Sequence, residues 1–248
     1  MKSPLLYILE VLFCSGLLLA FYRLLLVRKV SFRACRRYLV AAVFLSAVIP
    51  ALDIPLYPAR TVVYPLPLIA APPAENFVQT TGELPVAVPV VPSGWRRILR
   101  PMAVGGYLTA LFLSLGFLAV RMVGIRRLRR RSRLTDCGAY TLAEHPQIAT
   151  PFSFLRTVFL GGGYEGRRRM IVLCHEAGHV RHRHSAERIA VELVRSLFWF
   201  NPFVWIAGRW LQEVHEWEAD RDVLDAGYDL TEYRTVIFFT NSSAIIRI

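Results

Sequence analysis

Leu173-Cys174-His175-Glu176-Ala177-Gly178-His179-Val180 is the stretch on which the reading of this chain turns. It carries the pattern His-Glu-x-x-His. On a helix, positions i and i+4 share a face one turn apart, so both imidazoles can reach a single metal ion. Glu176 follows His175 by one residue and stands beside such an ion, where it can accept a proton from an activated water. Met170, Ile171, Val172, Leu173 and Val180 make this a largely buried helix, with helical periodicity from Arg167 onward. Two buried imidazoles on one face need partners, and a metal supplies them.

A third ligand is then required. His182 is i+7 from His175 on the same stripe, but seven residues rise about 10 Å, too far for two bonds of about 2.1 Å to one ion. His182 and His184, flanked by Arg181 and Arg183, read as polar surface. The better candidate is in Glu213-Val214-His215-Glu216-Trp217-Glu218-Ala219-Asp220-Arg221. There Glu216 and Asp220 share one face of a second helix, and a carboxylate ligand with a nearby acid orienting an imidazole is a common pairing. Glu213 and Glu218 read as that helix's exposed acidic face. Glu218 sits about 200° around from Glu216, so its replacement is expected to change little. His215 reads as a surface residue, with a transition-state hydrogen-bond donor as the alternative.

Upstream the chain changes character. Over 248 residues it is 54% hydrophobic and 19% charged, with a mean hydropathy of +0.40; a disordered or fibrous class is excluded. The formal charge is +12. The arginines cluster at the ends of apolar runs, which points to a lipid bilayer and not to direct nucleic-acid binding. Three membrane helices are expected, at about 4–27, 38–57 and 101–120. Arg28, Lys29, Arg33, Arg36 and Arg37 follow the first run, and seven arginines from Arg121 to Arg133 follow the third; residues 61–95 contain no Lys or Arg. Basic flanks stay inside, which sets the N-terminus and the Pro-rich loop of about 58–100 outside and the second half in the cytoplasm. The expected architecture is a mainly α membrane domain, 1–124, followed by a cytoplasmic α+β zinc peptidase domain, 125–248. Four scattered cysteines give neither a disulfide framework nor a zinc knuckle. Ala139 to Ala143 and Phe154 to Leu160 read as short strands, with Gly161 to Gly163 as a flexible connection. Leu193 to Leu211 suggests a fourth membrane helix. A spanning helix there would part Glu216 from His179 by some 30 Å, so the segment reads as a helix pair bent near Asn201-Pro202.

With His175-Glu176-x-x-His179, Phe198-Trp199-Phe200-Asn201-Pro202, Val204-Trp205 and Glu216-x-x-x-Asp220 in this order, the chain resembles the membrane-embedded gluzincin peptidases of the BlaR/MecR β-lactam sensor-transducers. The resemblance takes in the preceding helices and Pro151-Phe152-Ser153-Phe154, to about Tyr233. It implies a Zn2+ site of His175, His179 and Glu216, Glu176 as catalytic base and Asp220 supporting the ligands. It also implies a fourth membrane helix and an outer sensor domain, neither of which is read in this chain, so a truncated zinc domain is expected. The expected function is a regulatory zinc endopeptidase of the bacterial inner membrane. It would cleave a cytosolic protein such as a transcriptional repressor, or itself; a homodimer is left open. The Phe154 to Leu160 strand is expected to pair with extended substrate. The alternative is a signalling scaffold with a structural zinc site closed by a fourth ligand, His215 being nearest.

Overall fold

The computed structural model describes residues 4–27, 29–52 and 94–242. Most of the Pro-rich loop, the last part of the second expected membrane helix and the final residues lie outside the described residues. Two units are distinguished: Met1–Leu52 with Leu108–Ile248, and Asp53–Tyr107. Of the second, the described part is helical, from Gly94.

Helix α1 (Pro4–Phe21) runs on through a wider π-type turn, Tyr22–Leu26. Helix α2 (Phe32–Val48) begins earlier than the Tyr38 expected, because Ser31 caps it by accepting from Ala34 N. Its basic first turns are helix, not loop, so Cys35 and Arg36 are buried helical residues. Helix α3 (Gly94–Arg131) carries Pro101 in its interior and continues past the expected end at residue 120 to its final arginines. Pro4–Leu26, Phe32–Ala51 and Pro101–Arg131 are each long and apolar enough to cross a membrane.

The sheet follows α3. Its strands are β1 (Arg133–Asp136), β2 (Thr141–Glu144), β3 (Phe152–Phe154) and β4 (Thr157–Leu160), in the order β1-β2-β4-β3. β2 and β4 are parallel, while β1 and β3 pair antiparallel at the edges. The expected single strand from Phe154 to Leu160 is instead a hairpin that reverses at Leu155-Arg156. Leu155 takes φ 52° there, a left-handed conformation that no glycine in the sequence announces. Alternation along the strands supplies two apolar faces. Ala143 and Phe159 meet Ile125 and Leu128 at the end of α3. Leu142, Val158 and Leu160 meet Ile171 and Val172 of helix α4 (Gly166–Arg181).

Helices α5 (His184–Leu197) and α6 (Pro202–Asp225) break at Asn201-Pro202 as the sequence requires. Asn201 is wholly buried; its Oδ1 accepts from Phe203 N at 3.0 Å and its Nδ2 donates to Ser15 Oγ of α1 at 2.9 Å. Helix α7 (Leu230–Ser242) closes the described chain. One core joins Val11 and Leu19 of α1 and Leu39 and Val43 of α2 to Val191 of α5 and Val204, Leu211 and Val214 of α6.

Candidate metal centre

Helix α4 brings His175 and His179 together: their Nε2 atoms lie 3.2 Å apart. Helix α6 supplies the third group. Glu216 Oε2 is 3.4 Å from His175 Nε2, and Oε1 is 3.8 Å from His179 Nε2. Ligands bound at about 2.1 Å around a tetrahedral zinc are separated by about 3.4 Å. The observed separations, measured to one or the other Glu216 oxygen, lie near that edge, and these three residues could hold a metal ion. The imidazoles are mostly enclosed, at 14% and 13% accessible, whereas Glu216 is 58% accessible where it opens on a cavity.

Close approach of α4 and α6 is what lets Glu216 reach. At Gly178 a Cβ would stand 3.0 Å from Asp222 Oδ2 and 3.4 Å from Ala219 Cα, so the helices pack backbone to backbone. Asp220, one turn beyond Glu216, lies 3.3 Å from His175 Nδ1. Tyr233 of α7 meets the same nitrogen at 2.8 Å and donates a short hydrogen bond to Asp220 Oδ1. Tyr233 went unnoticed in the sequence, where nothing ties a tyrosine beyond α6 to a histidine 58 positions earlier.

The charges converge on one point. Burial drags the His175 imidazole down, but hydrogen bonds to Asp220 and Glu216 outweigh it and raise it to about 10. For His179 burial prevails over the pull of Glu216, and it falls to about 4. Enclosure pushes Glu216 and Asp220 up, yet contacts with His175 hold both below the usual carboxylate range. Burial raises Tyr233, reinforced by Asp220. Two nitrogens and a carboxylate oxygen thus face a position suited to one concentrated positive charge, which a divalent metal provides. Glu176 lies beside the group, buried at 9% accessible. Burial raises its carboxyl, against the opposing effects of His175 and of a hydrogen bond from Ser153 on β3.

Several expectations are corrected around this core. His182 and His184 are not surface residues. The chain breaks at Arg183, which takes φ 58°, and turns so that His184 packs back with 3% of its area accessible. His182 turns toward Asp222 at 3.0 Å, away from the site. Glu218 is not part of an exposed acidic face. It is buried at 5% accessible, and its Oε2 accepts from Arg36 Nη1 of α2 at 2.9 Å and meets His184 Nε2 at 3.1 Å. His215 is buried as well; its Nε2 meets Glu187 Oε2 at 2.9 Å, so it neither faces solvent nor joins the metal-facing group. Glu213 alone keeps the exposed place expected of it.

A cavity of about 480 Å³ opens over these residues. Its walls are Phe117, Leu118 and Met122 of α3, Phe152 and Phe154 of β3, and Arg188 of α5. Ser114 of α3 and Ser196 of α5 share a hydrogen bond of 2.7 Å that fastens one wall to the other.

A family model described as BlaR1 peptidase M56 matches residues 14–235. The chain belongs to this family. The M56 match runs from within α1 to α7, so it covers the later part of α1, all of α2, the sheet and the residues around the metal-facing group. M56 membership and three helices able to cross a bilayer make this a membrane-associated chain of metallopeptidase type. No curated protein matches it.

Proposed function

We propose that the protein is a zinc-dependent endopeptidase of the bacterial inner membrane, with His175, His179 and Glu216 as metal ligands and Glu176 as catalytic base. The observation that carries the reading is the set of 3.2, 3.4 and 3.8 Å separations among two imidazole nitrogens and the two oxygens of one carboxylate, with a buried carboxyl, hydrogen-bonded to Ser153, beside it. Zinc bound there supplies a Lewis acid and acidifies a water to a pKa of about 7. Glu176, whose carboxylate burial makes more basic, would take the proton of the attacking water and deliver it to the leaving amine. Asp220 and Tyr233 hold the His175 ring by its Nδ1 edge, keeping Nε2 directed at the metal position.

Substrate orientation falls to β3. β4, expected for that task, lies between β2 and β3 and has no free edge. β3 is the edge strand, lines the cavity and carries Ser153 against Glu176. An extended peptide added to β3 would cross the metal position, in the manner of strand addition. The arginines at the end of α3 and the basic residues around the start of α2 favour a site on the cytoplasmic side, with a cytosolic protein, a repressor among them, or the chain itself as the substrate class. The rival reading, a scaffold with a closed structural site, needs a fourth protein ligand, and His215 is committed to Glu187.

Two measurements test this. Purified full-length protein should carry one zinc that His179→Ala loses; an unchanged zinc content in that variant would remove the metal centre. Glu176→Gln should keep its zinc while proteolysis falls by about 10²–10⁴-fold. Full activity in that variant would end the enzyme reading.

A further inference from the structure

Resting on the metal-centre reading above, we propose that His184, Glu218 and Arg36 form a positioning line that holds the ligand His179 from the second membrane helix. The ring of His179 presents Nε2 to the metal position and leaves Nδ1 on its far side. A histidine that ligates through Nε2 carries its hydrogen on Nδ1. Here that nitrogen lies 2.8 Å from His184 Nδ1. His184 must therefore accept at Nδ1, which places its own hydrogen on Nε2, where Glu218 Oε2 waits at 3.1 Å. The same oxygen accepts from Arg36 Nη1 at 2.9 Å. Each atom in the line has one role, and the direction of donation runs from the metal ligand to a carboxylate fixed by a guanidinium. Zinc-bound histidines commonly donate straight to a carboxylate; here an extra imidazole stands between.

The line is built, not incidental. Glu218, His184 and Arg36 are 5%, 3% and 8% accessible. The ring of His215 stacks on His184 at 4.0 Å between centroids and 13° between planes, which fixes the orientation of the intermediate ring. Arg36 anchors both sides of that stack. Its Nη1 also donates to His182 O, at the end of α4, at 3.1 Å. Its Nε lies 3.4 Å from Glu187 Oε1, in charge contact, and Glu187 in turn meets His215. A buried Arg–Glu pair gains little stability over an apolar pair of the same volume, because desolvation offsets the attraction. What such a pair supplies is a fixed carboxylate behind a ligand ring, and a fixed carboxylate raises the ligand's basicity and holds its plane. Arg36 sits in the opening turns of α2, so the ligand ring is registered to the membrane hairpin across 182 positions of sequence.

The test uses full-length protein in detergent, with zinc affinity from chelator competition and cobalt(II) substitution as a spectroscopic probe. His184→Leu removes both the acceptor and the donor and should weaken zinc about 10–100-fold. His184→Gln can accept from His179 and donate to Glu218, so it should recover most of that loss and restore the cobalt visible bands that the leucine variant shifts. Arg36→Gln combined with Glu218→Gln leaves no lone buried charge and should weaken zinc about tenfold. The line is overturned if His184→Leu binds zinc as the unaltered protein does, or if the glutamine variant is no better than the leucine one. Should His184→Leu fail to fold, the paired variant decides: unaltered affinity there overturns the line, and tenfold weakening sustains it. Loss of zinc binding in the unaltered protein would instead overturn the metal-centre reading itself.

Discussion

Asn201→Ala probes how the metal-bearing helix is seated. The side chain is 0% accessible and makes two hydrogen bonds of different kinds. As the cap of α6 it satisfies Phe203 N, and losing such a cap costs about 1 kcal/mol. Its Nδ2 also donates to Ser15 Oγ, a buried bond with a net value of about 1 kcal/mol. Ser15 keeps its own partner, donating to Val11 O at 2.7 Å, so no stranded hydroxyl adds to the loss. The total is about 2 kcal/mol. For a chain of this size each kcal/mol moves the thermal midpoint by about 2–4 °C, so a fall of about 4–8 °C is expected. Ser15→Ala leaves the cap intact but removes the shared bond and Ser15's own bond to Val11 O, and it strands the buried Asn201 amide, so it too should cost about 2 kcal/mol. The double variant should fall short of the sum by about 1 kcal/mol, since both single changes delete the same contact. Thermal unfolding of the zinc-loaded protein in one detergent, followed by circular dichroism, measures all four. A fall of less than about 4 °C for Asn201→Ala would refute the capping argument; strict additivity would refute the contact between α1 and the α5–α6 break.

Glu216→Gln should weaken zinc by at least tenfold in a chelator titration, because a neutral amide is a poor zinc ligand, while Glu213→Gln on the exposed side of α6 should leave it unchanged. Gly178→Ala should be close to neutral in stability, its helix-propensity gain of about 1 kcal/mol offset by crowding against Asp222. Gly178→Val should push α4 from α6 and cost zinc affinity in the same titration. Tyr233→Phe should lower zinc affinity by about tenfold, since it removes the hydroxyl that Asp220 and His175 share.

What could be read in the sequence and what could not divides along one line. His175, Glu176 and His179 sit within one helical turn, and Glu216 and Asp220 within another, so local periodicity displays both halves of the group. The bend at Asn201-Pro202 is legible because proline ends a helix by its own covalent geometry. Arg36, Glu218 and His184 were not legible, because charge in a sequence is ordinarily solvated and nothing local states that it is buried. Arg36 stood among arginines that mark a membrane flank, and its partner Glu218 lies 182 positions away. The turns at Leu155 and Arg183 escaped for another reason: both take positive φ without glycine, so the usual punctuation is missing. Missing the first merged β3 with β4 and assigned the substrate edge to an interior strand; missing the second left His184 on an imagined surface.

The bonds from Asn201 to Ser15 and from Glu218 to Arg36 join segments 186 and 182 positions apart, and this has a bearing on biosynthesis. Translation completes α1 and α2 long before α6 exists. The helix that carries Glu216 therefore docks onto a pair of helices made much earlier, and contacts of such sequence separation form late. Until that docking is complete, His175 and His179 have been made but lack Glu216. The metal-facing group is consequently completed only after the first two helices are available to receive α6. A chain whose first two helices are misplaced would lack the seat for the helix that supplies Glu216.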